Sequence, residues 1–166
     1  RGGVPSVRVD ATQSCAGLPN ANEMSWYAMY GDPRWDYDEL WTTMGHLYKG
    51  GMWFKKKSVL QAEHHYDTEK SADGSTDLRT THKPYSYSSS SINSGLPSAF
   101  VAGNYFYLPA LGYYYSGGLY NVGNYGFYWS SSARFSYNAC HLYFGYGTVQ
   151  VRYENRYYGL RVDGFE

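Results

Sequence analysis

The chain has 166 residues, with 14 basic and 14 acidic side chains and therefore no formal net charge at neutral pH. This length suits one domain with a sizeable core. The balanced charge argues against nucleic acid, whose binding proteins carry basic patches, and gives no attraction to anionic membranes. No apolar run is long enough to span a bilayer, so we expect no direct membrane insertion. Because the sequence starts at Arg1, we expect the C-terminal part of a longer protein.

The most unusual feature is the aromatic content, which reaches 20% and includes 21 tyrosines. Fourteen of these tyrosines lie in residues 101–166, whereas all six lysines lie in residues 49–83. Between Val101 and Gln150 the only Asp, Glu, Lys or Arg is Arg134. Such a segment is either deeply buried or forms an adaptable contact surface.

A first helix is predicted in NANEMSWYAMYGD, after an irregular segment over residues 1–19. Asn20 or Asn22 can cap its free N–H groups, and Glu23 suits the positive end of the helix dipole. Gly31 is expected to end the helix in a left-handed turn. The residues expected to share the buried face are Met24, Tyr27 and Ala28.

A second helix is predicted in DPRWDYDELWTTMGHLYKGG, with acidic residues in its first turn and Lys49 before two glycines at its end. The Asp36-x-Asp38 pair also resembles the start of a calcium loop, but the Gly and distal Glu of such a loop are missing. The segment MWFKKKSVL that follows is predicted to be a strand. The predicted core-facing stripe of the helix is Leu40, Trp41, Met44, Leu47 and Tyr48.

Residues 61–98 are rich in Ser, Thr, Asp, Gly and Pro and are predicted to form long surface loops. Short strands broken by Gly, Pro and Asn are predicted around this region. They are VPSVRVD near the N-terminus and, after the loops, NYFYLPAL, GFYWSSS, CHLYFG, TVQVRY and YGLRVDG. The pattern predicts an α+β fold, with two N-terminal helices packed on small twisted antiparallel sheets and a long loop-rich middle.

Alternation along these strands assigns the side chains to two faces. Leu142 and Phe144 point one way, while His141 and Tyr143 point the other. By the same parity Cys140 joins the inward set. The predicted core residues are Trp129, Leu142, Phe144, Val149, Val151, Leu160 and Val162.

No arrangement of residues indicates catalysis. His64 and His65 are adjacent, so they diverge on any regular element, and no third ligand stands at metal spacing. Cys140 and His141 could suggest a nucleophile with its base, but neighbours on a strand face opposite sides. Cys15 and Cys140 are too few for a disulfide scaffold, and we expect two unrelated thiols, although a disulfide between them stays open. The sequence therefore predicts a protein that is not an enzyme and needs no metal or cofactor.

The segment 134–158 has the composition of a recognition surface. Tyr supplies large, stiff contact area at low entropy cost, and Ser, Gly and Asn supply adaptable hydrogen bonds, as in antibody-type binding loops. A tyrosine-rich β core with solvated edges is the competing interpretation. The predicted ligand-binding residues are Phe135, Ser136, Tyr137, Asn138, His141, Tyr143, Tyr146, Thr148 and Tyr153.

Several motifs carry a family resemblance: GDPRWD, ELWTTMGHLYKGGMWFKKKS, YFYLPALGYY, GFYWSSS and NRYYGLRVDGF. Together they resemble the variable proteins that diversity-generating retroelements diversify, and the related paralogous lipoprotein-like domains of gut bacteria and their phages. The resemblance implies a single C-type-lectin-like domain over residues 1–166, close to the formylglycine-generating-enzyme variant. It also implies that residues 134–158 form the variable ligand-binding region.

In this family an error-prone copying step randomises template adenines, commonly in Asn codons, and the products exclude Lys, Glu, Gln, Met and Trp. Residues 130–149 contain none of these five types. Gln150 and Glu154 depart from the rule, so they are either fixed scaffold or come from another codon. The calcium-binding motifs of C-type lectins and the copper-binding cysteine pair of formylglycine-generating enzymes are absent, which disfavours calcium-dependent sugar binding and oxidase activity.

Family members act as phage receptor-binding proteins or as bacterial surface and pilus-tip adhesins. The resemblance therefore implies an extracellular place, on a phage tail fibre or a bacterial cell surface. The expected partner is a cell-surface protein or glycan, with a homotrimer in the case of a phage fibre. The competing hypothesis is a structural pilus or fibre subunit whose aromatic face packs against another subunit.

Overall fold

The structure is a computed structural model and describes residues 15–81, 92–93, 95–163 and 165. Its strands form three antiparallel sheets, in the orders β1-β2-β3, β4-β5 and β6-β7-β8, so with its two α-helices the fold is α+β. The strand expected in VPSVRVD lies outside the described residues. The elements in chain order are α1 (Ala21–Tyr30), β1 (Arg34–Thr43), β2 (His46–Lys55), α2 (Lys57–Ala62), a 3₁₀ turn (Ala102–Asn104), β3 (Tyr105–Pro109), β4 (Tyr113–Tyr115), β5 (Gly118–Tyr120), β6 (Tyr125–Phe135), β7 (Asn138–Gly145) and β8 (Thr148–Asn155).

The predicted first helix is confirmed as α1, and its start is fixed by a capping box. The Asn20 side chain accepts a hydrogen bond from the Glu23 N–H, and a Glu23 carboxylate oxygen accepts one from the Asn20 N–H at 2.7 Å. Gly31 does end the helix, but its φ of −69° is right-handed, and the left-handed residue is Asp32 with a φ of 46°. The predicted inner face is fully buried and consists of Met24, Tyr27 and Ala28.

The predicted second helix is wrong, because this segment forms the β1–β2 hairpin. Met44 and Gly45 both have positive φ, 50° and 78°, which is the backbone that a two-residue hairpin turn requires. This turn places Trp41 opposite Tyr48, where their rings stack with centroids 5.3 Å apart. Residues that suggested one stripe of a helix are therefore cross-strand neighbours.

The supposed core stripe of that helix is mostly exposed to solvent. Leu40, Met44 and Leu47 are 60%, 71% and 64% exposed. Asp36 does not sit at a helix N-terminus either: its carboxylate accepts hydrogen bonds from the N–H groups of the next two acidic residues and from the Trp53 indole at 3.0 Å. These bonds hold an irregularity in the pairing of β1, which bends the edge strand.

The predicted strand MWFKKKSVL is correct only in its first half, since β2 ends at Lys55 and α2 begins at Lys57. The loops predicted over residues 61–98 start later, because α2 includes Gln61 and Ala62, and the described part of residues 63–98 contains no helix or strand. Its loops are anchored on α1 through Asn22, whose amide donates to Asp77 at 2.9 Å and accepts from the Leu78 N–H at 2.8 Å.

The core lies between α1, the β1-β2-β3 sheet and one face of the β6-β7-β8 sheet. Phe54 from the first sheet meets Phe144 from the second edge-to-face at 5.7 Å. Cys140 belongs to this core, and both cysteines are free thiols, as predicted. The predicted core residues that the structure confirms are Leu142, Phe144, Val149 and Val151.

Three other predicted core residues are not in the core. The segment YGLRVDG forms only isolated bridges rather than a strand, so strict alternation does not apply to it, and Val162 is 40% exposed while Leu160 is half-buried. On β6 the prediction chose the wrong face of the strand: Tyr128 is fully buried in the core, and Trp129 is half-buried on the opposite face. Phe165 supplies C-terminal core packing instead.

Candidate ligand-binding surface

The outward face of the β6-β7-β8 sheet carries an unusual concentration of rings. Pairing sets Phe127 opposite Tyr143 and Trp129 opposite His141, and β8 adds Arg152 beside His141. The other face of these strands packs on the core, so these side chains lie on the side of the sheet away from that core. We call this set the aromatic face: Tyr125, Phe127, Trp129, His141, Tyr143 and Arg152.

Tyr143 is the centre of the aromatic face. Its ring stacks against Tyr125 with centroids 5.5 Å apart and contacts Phe127 at 5.1 Å. The Arg152 guanidinium carbon lies 4.0 Å from the centroid of the same ring. Tyr143 is therefore held on several sides, and its pKa is raised, chiefly by burial and by the neighbouring Tyr125.

A pocket of about 280 Å³ opens on this face between β8, the β4–β5 hairpin and the segment that follows β8. Tyr113 from β4 contacts Phe127 edge-to-face at 5.2 Å and Tyr158 at 5.6 Å. Tyr158 also stacks on Tyr115 at 4.7 Å, so ring contacts hold both Tyr113 and Tyr158 in place at the pocket. We call this the face pocket, and Arg152 and Glu154 are the charged side chains in its wall.

A larger groove of about 640 Å³ lies between the β1–β2 hairpin and the turn that joins β7 to β8. Its walls include Trp35 and Tyr37 on one side and Tyr146 on the other, and Gly50 and Gly147 lie along it. The rings of Tyr37 and Tyr146 lie 6.2 Å apart and are 56% and 68% exposed. We call this the turn groove. Tyr125 and Tyr143 line both the turn groove and the face pocket, so the two form one continuous surface.

The predicted binding residues separate into two groups. Tyr143, Tyr146 and Thr148 come together at the turn groove. Phe135, Ser136, Tyr137, Asn138 and Tyr153 lie at the opposite end of the sheet, around the β6–β7 turn and its β8 neighbour, and line neither the groove nor the face pocket.

That second group has its own organising residue. The Arg134 guanidinium carbon lies 5.3 Å from the Phe135 ring centroid and 5.1 Å from that of Tyr153. The Nη1 group of Arg134 donates a hydrogen bond to the Thr81 carbonyl at 3.2 Å. Tyr137 at the tip is 62% exposed. Tyr153, predicted to contact a ligand, is half-buried and packs against the core, so the exposed rings at this end of the sheet are Phe135 and Tyr137.

His141 occupies the aromatic face but does not reach solvent, because it is only 2% exposed. The structure therefore corrects its assignment as a ligand-contacting residue. Its ring lies against Phe127 and Trp129 at 5.9 and 5.8 Å, and neither ring nitrogen has a hydrogen-bond partner among the described residues. Burial, and then the positive charge of Arg152, lower the pKa of His141 to about 3, so the imidazole is neutral.

Sequence reasoning missed several residues that shape this surface, among them Tyr37, Tyr125 and Arg152. Tyr37 was placed in the wrong helix, and only the hairpin brings it to Tyr146. Alternation puts Arg152 on the outward face, but nothing in the sequence shows that it lies over Tyr143.

The described residues give no sign of a metal or membrane-spanning site. Among them no three or more His, Cys, Asp or Glu side chains cluster so as to hold a metal ion. No helix in the described part of the chain is both long and apolar enough to cross a membrane. Cys140 packs in the core while His141 faces the opposite way, so this pair does not form a nucleophile and its base.

Comparison of the chain with protein-family models, with curated proteins and with solved structures found no match.

Proposed function

We propose that this protein is a non-enzymatic binding domain whose tyrosine-rich C-terminal surface recognises a cell-surface protein or glycan. The observation that carries this proposal is the continuous run of rings from the turn groove to the face pocket, joined by Tyr125 and Tyr143. Stiff aromatic side chains beside small residues provide contact area and adaptable hydrogen bonds at low entropy cost.

The family resemblance supports a more specific form of this proposal. We assign the chain to the variable proteins of diversity-generating retroelements, with a C-type-lectin-like fold and an extracellular place on a phage tail fibre or bacterial surface. The α+β architecture with small antiparallel sheets is compatible with this assignment. A neighbouring reverse-transcriptase gene and an adenine-bearing near-repeat of the codons for residues 134–158 would test it.

The binding experiment uses Tyr37 and Tyr146, since both are exposed and neither is part of the core. Labelled protein is applied to a panel of intact bacterial cells and to a glycan array. We expect the Tyr37→Ala/Tyr146→Ala variant to lose at least tenfold in affinity, because exposed aromatic anchors carry much of the binding energy. Its thermal stability should stay close to that of the wild type.

Tyr30 provides the matched control, since it is an exposed tyrosine on α1 that stacks on His65 and lines neither the groove nor the face pocket. The Tyr30→Ala variant should bind as well as the wild type. The proposal fails if the wild type binds no surface on the panel, or if the double variant binds with unchanged affinity.

A structural subunit of a pilus or fibre is the second candidate, and the exposed β1–β2 hairpin favours it. Leu40, Met44 and Leu47 together present apolar side chains at its far end, and such patches mark association sites. Under this alternative the protein self-associates with concentration in sedimentation experiments, and Leu47→Lys abolishes the association. A concentration-independent sedimentation coefficient would exclude it.

A further inference from the structure

The arginines of this chain differ in how their charge is balanced. Arg152 donates its Nε–H to the Gln150 side chain at 2.6 Å and lies over Tyr143, and among the described residues it forms no ion pair with a carboxylate. Its two terminal amino groups thus keep their donors for another partner. By contrast, ion pairs among the described residues join Arg34 to Asp32, Arg79 to Glu69 and Asp77, and Arg161 to Asp163.

Arg152 is also held in one orientation. Tyr143 supports the flat face of the guanidinium, and Gln150 takes up its Nε–H. A planar guanidinium with two parallel donors free matches the two oxygens of a carboxylate. Because the side chain is already ordered, little conformational entropy is lost when such a partner binds.

The surroundings of Arg152 indicate what else the partner contains. The face pocket has a volume of about 280 Å³, just below the range of roughly 300–1,000 Å³ for small-molecule sites. This suits one ring rather than an extended chain. Rings from Tyr113, Phe127 and Tyr158 offer flat apolar walls, and Asn121 and Glu154 offer hydrogen-bonding groups beside them.

A sugar ring that carries a carboxylate presents all the matching features. Its C–H face packs on aromatic walls, its hydroxyls donate to groups such as the Glu154 carboxylate, and its acid group pairs with an arginine. Glu154 and Arg152 line the same pocket but form no ion pair with each other among the described residues. Each can therefore bind a different part of one ligand: Arg152 the carboxylate, and Glu154 a hydroxyl away from that carboxylate, which it would otherwise repel.

We propose that the face pocket binds an acidic monosaccharide unit and that Arg152 holds its carboxylate. The inference rests on the proposed function, since it gives a ligand class to part of the same surface. It assigns Arg152 the role of distinguishing acidic from neutral glycans.

The test compares each acidic sugar with its own methyl ester, so that only the charge changes. Methyl glucuronide and N-acetylneuraminic acid are titrated into ¹⁵N-labelled wild-type protein, with the arginine Nε–H signals as the readout. We expect saturable shifts with the acids and at least about tenfold weaker binding of the esters, which cannot form a charge-assisted pair with Arg152. Added salt should weaken binding of the acids only.

Variants locate the effect. Arg152→Gln should remove the preference for acid over ester, and Arg152→Lys should keep part of it, because lysine retains the charge without the fork. Arg161→Gln is the matched control, since Arg161 is exposed outside the pocket lining and paired with Asp163, and it should behave as the wild type. Thermal unfolding checks that each variant folds.

The proposal is overturned if acid and ester bind equally, or if neither gives saturable shifts, and both comparisons need only the wild-type protein. A capped acidic peptide such as N-acetyl-Gly-Asp that binds as tightly as the acidic sugars would also overturn it. If the sugars fail while Tyr37 and Tyr146 still govern cell binding, the proposed function stands and only this inference falls. If acidic sugars bind through Arg152 but the protein recognises no cell surface, this inference stands and the proposed function fails.

Discussion

The buried His141 makes the stability of this protein depend on pH. In the folded state its pKa is lowered to about 3, whereas an unfolded histidine titrates near 6.5. Between these values the unfolded chain binds a proton that the folded chain does not, so protonation favours unfolding. The contribution is fully present above pH 6.5 and is lost progressively as the pH falls towards 3.

The size of the effect follows from the distance below the unfolded pKa. Each pH unit below about 6.5 costs about 1.4 kcal/mol as long as His141 stays neutral in the folded protein. At pH 5 the free energy of unfolding should thus be about 2 kcal/mol lower than at pH 7. For a domain of this length the midpoint of thermal unfolding should fall by roughly 4–8 °C.

The assay is urea denaturation of the wild type and of His141→Phe at pH 7, 6 and 5. Phenylalanine keeps a ring against Phe127 and Trp129 but cannot take up a proton, so most of the pH dependence over this range should disappear. His46→Phe, at an exposed position on β2, should retain it. The reasoning is refuted if His141→Phe is as sensitive to pH as the wild type, or if the wild type shows no dependence.

The range stops at pH 5 because a second set of groups responds below it. Asp32, Asp36 and Asp77 all have lowered pKa values despite their partial burial, through hydrogen bonds to Tyr105, Trp53 and Arg79. For these carboxylates the stabilisation is present above about pH 4 and is lost as the pH falls through their folded pKa values. Measurements between pH 5 and 7 therefore keep these three carboxylates out of the comparison, and the His141→Phe variant identifies the contribution of His141.

The remaining predictions concern packing of the β6-β7-β8 sheet. Gly126→Ala should destabilise the protein by about 1–3 kcal/mol in urea denaturation, because a Cβ there would stand 2.1 Å from the Phe144 ring. Gly147→Ala is the control and should cost little, because a Cβ there meets no atom within 4 Å. Equal stabilities of the two variants would contradict this prediction. Tyr128→Ala should cost about 3–5 kcal/mol, since the ring is fully buried, and Trp129→Ala clearly less. A larger loss of stability with Trp129→Ala than with Tyr128→Ala would support the prediction from sequence that Trp129 is the core residue.

Local signals in the sequence were sufficient for α1. The Asn20–Glu23 capping box satisfies backbone groups within one turn, so neighbours along the chain determine where the helix starts. Parity was equally reliable on β7 and β8, where Leu142, Phe144 and Val149 alternate with outward side chains across regular pairing. In each case the determining contacts are local or follow strictly from the period of the element.

The hairpin was missed because seven residues separate Trp41 from Tyr48. That spacing is two helical turns, and it is also the spacing of a cross-strand pair around the Met44–Gly45 turn. The error on β6 has another cause: alternation separates Trp129 from Tyr128 but does not say which of the two faces the core, and this depends on the pairing of Tyr128 with Leu142 of β7. Periodicity alone cannot resolve either case, since both depend on the partner strand.

The residues predicted to bind a ligand lie only partly together in the structure, and their role in binding stays a prediction. Composition identified a tyrosine-rich surface, and three of the nine predicted residues meet at the turn groove. The groove also needs Tyr37 from a hairpin about a hundred residues earlier, and the face pocket needs Tyr113 from β4. Such long-range proximity arises from the packing of separate sheets, which has no signature in the local sequence.

Tyr143 belongs both to the packing of the sheet and to the proposed recognition surface. Its two ring contacts and the Arg152 guanidinium above it together contribute about 1.5–4 kcal/mol, beyond the area it buries. It nonetheless lines both the turn groove and the face pocket. Truncating Tyr143 would therefore reduce stability and binding together, whereas Tyr146 can change at the rim with little effect on folding. A surface that diversifies would tolerate variation at Tyr146 more readily than at the braced centre of the aromatic face.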